Sequence, residues 1–281
     1  MPHEIKSMLV MLNRPADMAA ILGWANRLAK DFDASADGVF LKYDLAADST
    51  IFADGYGFYA TDIAAREIAE ASQRAEEVAR EEFECAAKRG PRNRLGCIQV
   101  VSEGLRGELS RLSRCYDLAI AHLPEAPTLV AGETVLAEIL LQGGAPVFAM
   151  PRTAACDTPL QSALVAWDAS LEASRAVRAA LPLLKECRVV HLRGVAERDN
   201  RREDLQALSR YLTFHGVESD IGLIDPEEKD AGHIILHEAD RIAADFIVMG
   251  AFGHAPWREQ IFGGATHAVI RETRKPLLLA H

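Results

Sequence analysis

The chain has 281 residues, of which 49% are hydrophobic, so it is long enough for two ordinary domains with buried cores. It carries 41 acidic and 31 basic side chains, a formal net charge of -10, with no local basic patch. Such a surface repels phosphate backbones, so nucleic-acid binding is not expected. No apolar run is as long as a membrane span, and the first residues lack the pattern of a signal peptide. We therefore expect a cytoplasmic protein that does not contact a membrane.

The cysteines are odd in number and widely scattered, at Cys85, Cys97, Cys115, Cys156 and Cys187. With no C-x-x-C pair among them, they indicate neither a disulfide framework nor a zinc site. We predict small buried hydrophobic residues in a reducing compartment, and no metal ligands.

Short aliphatic runs alternate along the chain with longer segments of helical period, which is typical of β-α-β units around a parallel sheet. The predicted strands cover residues 7–12, 36–43, 97–101, 117–123, 146–150, 162–167, 187–193, 217–224, 245–250 and 276–280. The segments between them are amphipathic. In the first, the apolar face that would pack on a sheet consists of Met18, Ile21, Leu22, Ala25 and Leu28. The pattern predicts an α/β fold in which helices cover both faces of a sheet.

The two halves repeat one another, which indicates tandem domains. "YDLAIAHL" corresponds to "ADFIVMGA", and "GGAPVFAMP" corresponds to "TRKPLLLAH". A segment with two prolines then suggests a linker near residue 155, so we predict domains over 1–152 and 160–281. The first half also contains an aromatic and glycine-rich insertion over 44–62. We expect it to pack on the neighbouring domain or a second subunit rather than to act as a ligand lid.

Four glycines stand between the fourth strand of the second half and its last helix, at Gly250, Gly253, Gly263 and Gly264. Parallel α/β sheets place their ligands at this edge. Backbone without a Cβ can approach a ligand closely, and the start of a helix favours an anion. The spacing therefore suggests a phosphate cradle. Turn and capping glycines in a tightly packed loop would give the same short pattern.

The second half resembles the universal stress protein family, whose nucleotide-binding members carry G-x2-G-x9-G-[S/T] at this place. Gly250, Gly253 and Gly263 match that spacing, while Gly264 stands where the family has Ser or Thr. "ALVAWDAS" resembles the family's first strand with its terminal Asp, "CRVVHLR" its second strand, and "ADFIVMGAFG" its most recognisable segment.

This resemblance is strong over 160–281 and weaker over 1–150, where it rests on strand order and apolar runs. It implies two tandem domains, each a five-stranded parallel sheet sandwiched by helices. The implied fold is Rossmann-like, of the adenine nucleotide alpha hydrolase type.

The resemblance also implies ATP or another adenine nucleotide, with or without Mg²⁺, as the ligand of the second half. The implied contacts are Ala166, Asp168 and Leu192 near the adenine, Gly250 and Gly253 at the ribose and α-phosphate, and Gly263, Gly264 and Ala265 at the outer phosphates. The missing hydroxyl at Gly264 removes one hydrogen bond to phosphate, worth about 1.5–3 kcal/mol. Thr266 could compensate, or the ligand could differ from ATP.

The first half departs further from the family pattern. Its corresponding loop has one glycine and two carboxylates, Glu125 and Glu133, and Asn13 replaces the aspartate. We therefore expect at most one nucleotide per chain, with the first domain as a pairing partner. The family pairs domains through the last strand, so residues 146–150 and 276–280 could pair internally. A homodimer remains open.

Other polar residues have alternative interpretations. His233 and His237 are spaced to offer two metal ligands, but a third is not evident and a surface pair is the simpler interpretation. His254, Arg258 and His267 flank the glycines and could meet phosphate or solvent. Ser170 has no evident base and is expected to cap a helix.

The sequence therefore predicts a tandem universal stress protein that binds an adenine nucleotide and signals by conformational change or protein contact in stress response. The alternatives are a scaffold of the same fold that has lost nucleotide binding and, third, a weak ATPase. No catalytic residue is assigned, and the protein partner is not identified.

Overall fold

The computed structural model describes residues 4–12, 15–42, 62–90, 94–102, 107–124, 134–195, 201–225, 230–253 and 264–281. The strands in these segments are β1 (Ser7–Met11), β2 (Ser35–Lys42), β3 (Leu95–Ser102), β4 (Leu118–His122), β5 (Val147–Met150), β6 (Ser162–Ala166), β7 (Val189–Val195), β8 (Asp220–Ile224), β9 (Phe246–Gly250) and β10 (Leu277–Ala280). The α-helices are α1 (Met18–Asp31), α2 (Asp62–Arg89), α3 (Glu108–Ser113), α4 (Leu171–Lys185), α5 (Arg201–Phe214), α6 (Ala231–Arg241) and α7 (Ala265–Glu272). Each predicted strand corresponds to an observed one.

The chain divides into two compact units, one built on Ile5–Ala121 and the other on His122–His281. In the first unit, β1 lies between β2 and β4, β3 lies beyond β2, and all these pairings are parallel. Helix α1 contacts β1 and β2. All five residues of its predicted apolar face are buried, which confirms the amphipathic pattern.

In the second unit, the strands follow the order β10-β9-β6-β7-β8, and every pairing among them is parallel. This confirms the five-stranded parallel sheet predicted for the second half. Chain order runs outward in both directions from the boundary between β6 and β9. That boundary is the topological switch point, where open parallel sheets form a crevice at the carboxyl ends of their strands.

Strand β5 belongs to the second unit although it precedes the predicted linker. It pairs antiparallel with β10, with Phe148 opposite Leu278, and the Phe148 ring packs edge-on against Phe246 at 6.1 Å. The pairing predicted between these two strands is therefore present. The division into 1–152 and 160–281 concerns the sequence repeat and stays a prediction.

The cysteine prediction is wrong for most of the set. Cys85, Cys97, Cys115 and Cys156 are exposed and Cys187 is half-buried, and none of them forms a disulfide. Cys85 lies on the charged outer surface of α2, and Cys97 lies on the edge strand β3. A scattered cysteine pattern does not distinguish such surface positions from the core.

Several sequence-based predictions lie outside the described residues, namely those for Asn13, for residues 44–61 of the aromatic insertion and for the 125–133 loop. Across the described helices, none combines the length and apolar character that crossing a membrane requires.

Candidate functional site

The carboxyl ends of β6 and β9 lie side by side. Ala166, the last residue of β6, pairs with Met249, so Gly250 and Asp168 follow at the same edge of the sheet. Ala166 and Asp168 are both half-buried. The structure thus brings the predicted adenine contacts at 166 and 168 close to the end of β9, which leads into the glycine segment.

The turn after β6 is held by local hydrogen bonds. The Asp168 carboxylate accepts the N–H of Ser170 at 2.9 Å, and Ala169 between them has a positive φ of 65°. The Ser170 hydroxyl oxygen then accepts the N–H of Ala173 at 3.1 Å. This confirms Ser170 as the N-cap of α4 and gives it a structural role.

Gly250 is required by packing of β9 against α4. A Cβ at this position would lie 2.5 Å from the backbone nitrogen of Ala173 and 2.8 Å from the carbonyl carbon of Glu172. Both are backbone atoms of the first turn of α4, which cannot move aside cheaply. The tightly packed loop therefore accounts for this glycine without a ligand.

Gly253 is exposed and faces a carboxylate. A Cβ there would lie 2.9 Å from an oxygen of Glu172, which is the flexible end of a side chain. The backbone at this position is thus open to solvent, with one negative charge beside it. An anion bound here would meet the Glu172 carboxylate unless a cation stood between them.

Gly264 opens α7 in a conformation that suits only glycine. Its φ is 139° and its ψ is 155°, it is exposed, and no atom of the described residues beyond its chain neighbours lies within 4 Å of the place its Cβ would occupy. As the N-cap residue, Gly264 offers α7 no side-chain cap. The first amides of this helix therefore lack the side-chain acceptor that Ser170 provides for α4.

Thr266 ties the start of α7 to the end of β9. Its hydroxyl oxygen accepts the N–H of Phe252 at 3.3 Å, and the Phe252 ring packs edge-on against His267 at 5.6 Å. The Thr266 hydroxyl still has its own proton to donate. Ala265 and Thr266 are half-buried, so this corner of the site is partly open.

Leu192 is fully buried in the middle of β7, where it pairs with Val165 rather than with Ala166. Its side chain therefore belongs to the core. The predicted contact of Leu192 with an adenine stays a prediction that its side chain does not support.

A buried ion-pair network surrounds this part of β7. Arg193 is 7% exposed, and its guanidinium donates to Glu238 at 2.6 Å and to Asp220 at 2.8 Å. His191 lies 3.1 Å from the same Asp220 carboxylate. Hydrogen bonds from Arg241 and Arg193 lower the pKa of Glu238 despite its burial. His191 thus has a structural partner on the neighbouring strand.

The remaining candidate residues from the sequence lie away from the ends of β6 and β9 or outside the described residues. Gly263, His254 and Arg258 lie outside the described residues. His233 and His237 are both exposed on α6, and His233 pairs with Asp230 and, at 3.3 Å, with Glu272. No group of three metal-ligating side chains occurs among the residues that the structure describes.

Glu172 and Phe252 belong to this edge and were missed by the sequence analysis. Glu172 follows the cap residue Ser170 by two positions, so it falls in the first turn of a helix that starts at the ligand edge. Its sequence position was therefore a usable signal. Phe252 has a positive φ of 60°, and nothing in the sequence indicated that.

The chemistry of the assembled edge favours an anionic ligand. It offers uncapped amides at α7, the Thr266 hydroxyl, and the exposed backbone at Gly253 and Gly264, which suit an anion. Among the described residues here, the Glu172 carboxylate lies nearest to Gly253 and would oppose a bare anion.

The comparisons with known proteins agree with this fold. Residues 160–281 match the model described as Universal stress protein family, and that model does not confirm a second copy in the first half. In a search of curated proteins, nothing matches this sequence.

Among solved structures, a universal stress protein from Archaeoglobus fulgidus is similar over 99% of this chain and 97% of its own, at 18% identity and a TM-score of 0.71. A candidate universal stress protein from Pseudomonas aeruginosa is similar over 99% and 94%, at 13% identity and a TM-score of 0.60. At these identities the likeness establishes the fold, which is Rossmann-like α/β over the whole chain.

A universal stress protein in complex with cAMP matches 43% of this chain and 95% of its own, at 19% identity and a TM-score of 0.38. A likeness this low says nothing about the ligand of this chain. The family match and the parallel sheet order coincide in the second half. Residues 160–281 therefore match one universal stress protein domain.

Proposed function

We propose that the second half of the chain binds one adenine nucleotide, ATP with Mg²⁺, at the carboxyl ends of β6 and β9. The bound and empty states would differ in the placement of α7, and this difference would signal to a protein partner in a cytoplasmic stress response. The first half would act as a pairing partner without a nucleotide of its own.

The observation that carries the proposal is the hydrogen bond from the Phe252 N–H to the Thr266 hydroxyl oxygen, at 3.3 Å. It holds the uncapped start of α7 beside the end of β9. The described members of both glycine clusters, Gly253 and Gly264, therefore flank a single corner. An uncapped helix start beside open backbone is a favourable place for phosphate.

The residues present fit a nucleotide, except that one carboxylate would repel its phosphates unless Mg²⁺ is bound as well. Gly264 has a positive φ and, among the described residues, free space at its Cβ position, so a ligand could approach its backbone. The Glu172 carboxylate beside Gly253 opposes a bare polyphosphate. A divalent cation between that carboxylate and the phosphates would convert the repulsion into attraction, because it carries the largest local charge.

The second candidate is a scaffold of the same fold that binds no nucleotide. Gly250 favours it, because close packing on Glu172 and Ala173 explains that glycine completely. The glycine at 264, in place of a hydroxyl-bearing residue, points the same way. A weak ATPase is the third candidate.

The test is to denature the purified full-length chain, identify released nucleotides by mass spectrometry, and titrate the emptied protein with ATP in the presence and absence of Mg²⁺. The informative variants are Gly253→Glu and its uncharged twin Gly253→Gln, which place the same bulk on exposed backbone. A second carboxylate at the cradle should weaken ATP binding by at least about tenfold, which is about 1.4 kcal/mol. The glutamine variant should bind more tightly than the glutamate variant.

Binding that is equal in both Gly253 variants would contradict a phosphate position at this glycine. A wild-type protein that carries no nucleotide and shows no binding at millimolar Mg-ATP would establish the scaffold. Phosphate release by the wild type above the Gly253→Glu variant would support the ATPase.

A further inference from the structure

A cavity of about 220 Å³ lies between α4 and α5, beside the end of β6, and is lined by residues other than those predicted to contact the nucleotide. Trp167 forms part of its lining, together with side chains from successive turns of both helices. Its apolar wall includes Val177 and Leu208, both buried. This is too small for a nucleotide but large enough for a single ring with short polar groups, since pockets for larger ligands measure about 300–1,000 Å³.

Groups of opposite charge line the cavity from its two helices. Arg178 projects from α4 and Asp204 from the first turn of α5. Among the described side chains, neither has a hydrogen bond or ion pair, and the two do not pair with each other. A ligand that carries one charge of each sign could pair with Arg178 and Asp204 at once. A ligand with a single charge would be repelled by one of the two side chains.

Trp167 adds an aromatic surface and a buried donor. Its backbone N–H donates to the Arg193 carbonyl at 2.8 Å, which fixes the residue at the end of β6. Its indole Nε1 is buried and has no acceptor within the described part of the chain. Tyr211 lines the cavity from α5, so aromatic rings border it from the sheet and from a helix.

We propose that this cavity binds a small zwitterion with an apolar body, of the class of the free aromatic amino acids. Arg178 would hold the carboxylate, Asp204 would hold the ammonium group, and the ring would pack between Trp167, Val177 and Leu208. Its lining does not include Gly253, Gly264 or Thr266, so binding here does not require the phosphate cradle.

The test uses full-length ¹⁵N-labelled protein titrated with L-phenylalanine. The indole N–H signal of Trp167, assigned by its loss in Trp167→Phe, should shift saturably. Arg178→Met and Asp204→Asn should each weaken binding by roughly tenfold, because each removes one charged partner of the ligand. The matched controls Arg175→Met and Glu203→Gln lie on the same helices outside the cavity, and should change the affinity by less than about twofold.

Ligand analogues test the charge assignment independently of the variants. Phenylpropionate lacks the ammonium group and phenethylamine lacks the carboxylate, so each should bind roughly tenfold more weakly than phenylalanine. Circular dichroism and urea midpoints establish that each variant is folded.

Three outcomes would overturn the proposal: no saturable shift at millimolar phenylalanine, equal binding of phenylalanine and phenylpropionate, or equal losses in Arg175→Met and Arg178→Met. The Gly253→Glu variant should bind phenylalanine as the wild type does, which separates this site from the nucleotide site.

Discussion

Helices α4 and α7 both begin at the carboxyl edge of the second-unit sheet, but their amino ends are treated differently. Helix α4 starts with Ser170, whose hydroxyl oxygen accepts the N–H of Ala173, and Asp168 supports the turn before it. Helix α7 starts with Gly264, which has no side chain and provides no cap. One helix satisfies a first-turn donor internally, and the other lacks that side-chain acceptor.

Gly250 and Gly264 also differ in the reason that each position needs a glycine. Gly250 is needed because backbone atoms of α4 occupy the space where its Cβ would be, whereas Gly264 faces open space. Glycine spacing alone therefore mixes two causes, close packing and an unusual backbone conformation. Only the second leaves amides accessible to a ligand, so the candidate site is centred on α7.

The largest effect should come from Gly250→Ala compared with Gly253→Ala. The new methyl at 250 would overlap backbone atoms of Glu172 and Ala173, and the expected loss of unfolding free energy is about 3 kcal/mol. At 253 only the end of the Glu172 side chain must move, so the change should stay within about 1 kcal/mol. Urea denaturation of both variants measures this. Equal effects would mean that the close contact between β9 and α4 is absent.

The next largest change in stability is expected at Gly264, and it tests whether the start of α7 differs from the capped start of α4. A Cβ at a φ of 139° is strained, so Gly264→Ala should lose about 1–2 kcal/mol. Gly264→Ser carries a capping hydroxyl on the same strained backbone and should be no more stable than the wild type. A gain in the serine variant, measured by the urea midpoint, would show that α7 accepts an ordinary cap.

Much of this fold could be predicted from the sequence because the spacing of apolar residues along each strand and helix matches the residues that are buried. Strands β6, β9 and β10 are aliphatic runs that are buried along nearly their whole length. The spacing of Met18, Ile21 and Leu22 likewise describes the buried side of α1.

The site could be predicted only in part, because its properties depend on contacts between distant segments. Ser170 was assigned correctly as a cap, since capping is local. Gly250 owes its role to atoms of α4, and Leu192 is placed in the core by register with Val165. The antiparallel pairing of β5 with β10 likewise joins residues more than a hundred positions apart.

A smaller effect is expected from Ser170→Ala, which tests the capped helix. Loss of the hydroxyl leaves the Ala173 N–H without its acceptor, at a cost of about 1 kcal/mol. Ser170→Asp restores an acceptor and should recover most of that loss. Thermal unfolding of the three proteins measures the difference. An unchanged alanine variant would mean that water replaces the cap, and the contrast with α7 would then lose its significance.

The smallest effect should come from His233, whose ring joins α6 to the last turn of α7. A hydrogen bond to the Asp230 carboxylate, with attraction from Asp230 and Glu272, raises the pKa of His233 above its usual value near 6.5. A raised pKa in the folded state means that the protonated ring adds stability below pH 6.5. That contribution is lost as the pH rises through the folded-state pKa.

His233→Gln should therefore destabilise the protein more at pH 5.5 than at pH 9, because the protonated ring is lost as the pH rises through its raised folded-state pKa. The control is His237→Gln, which removes another exposed histidine one turn further along α6. Urea midpoints at the two pH values measure it. A loss of the same size at both would mean that His233 contributes by packing, and that its charge does not link the two helices.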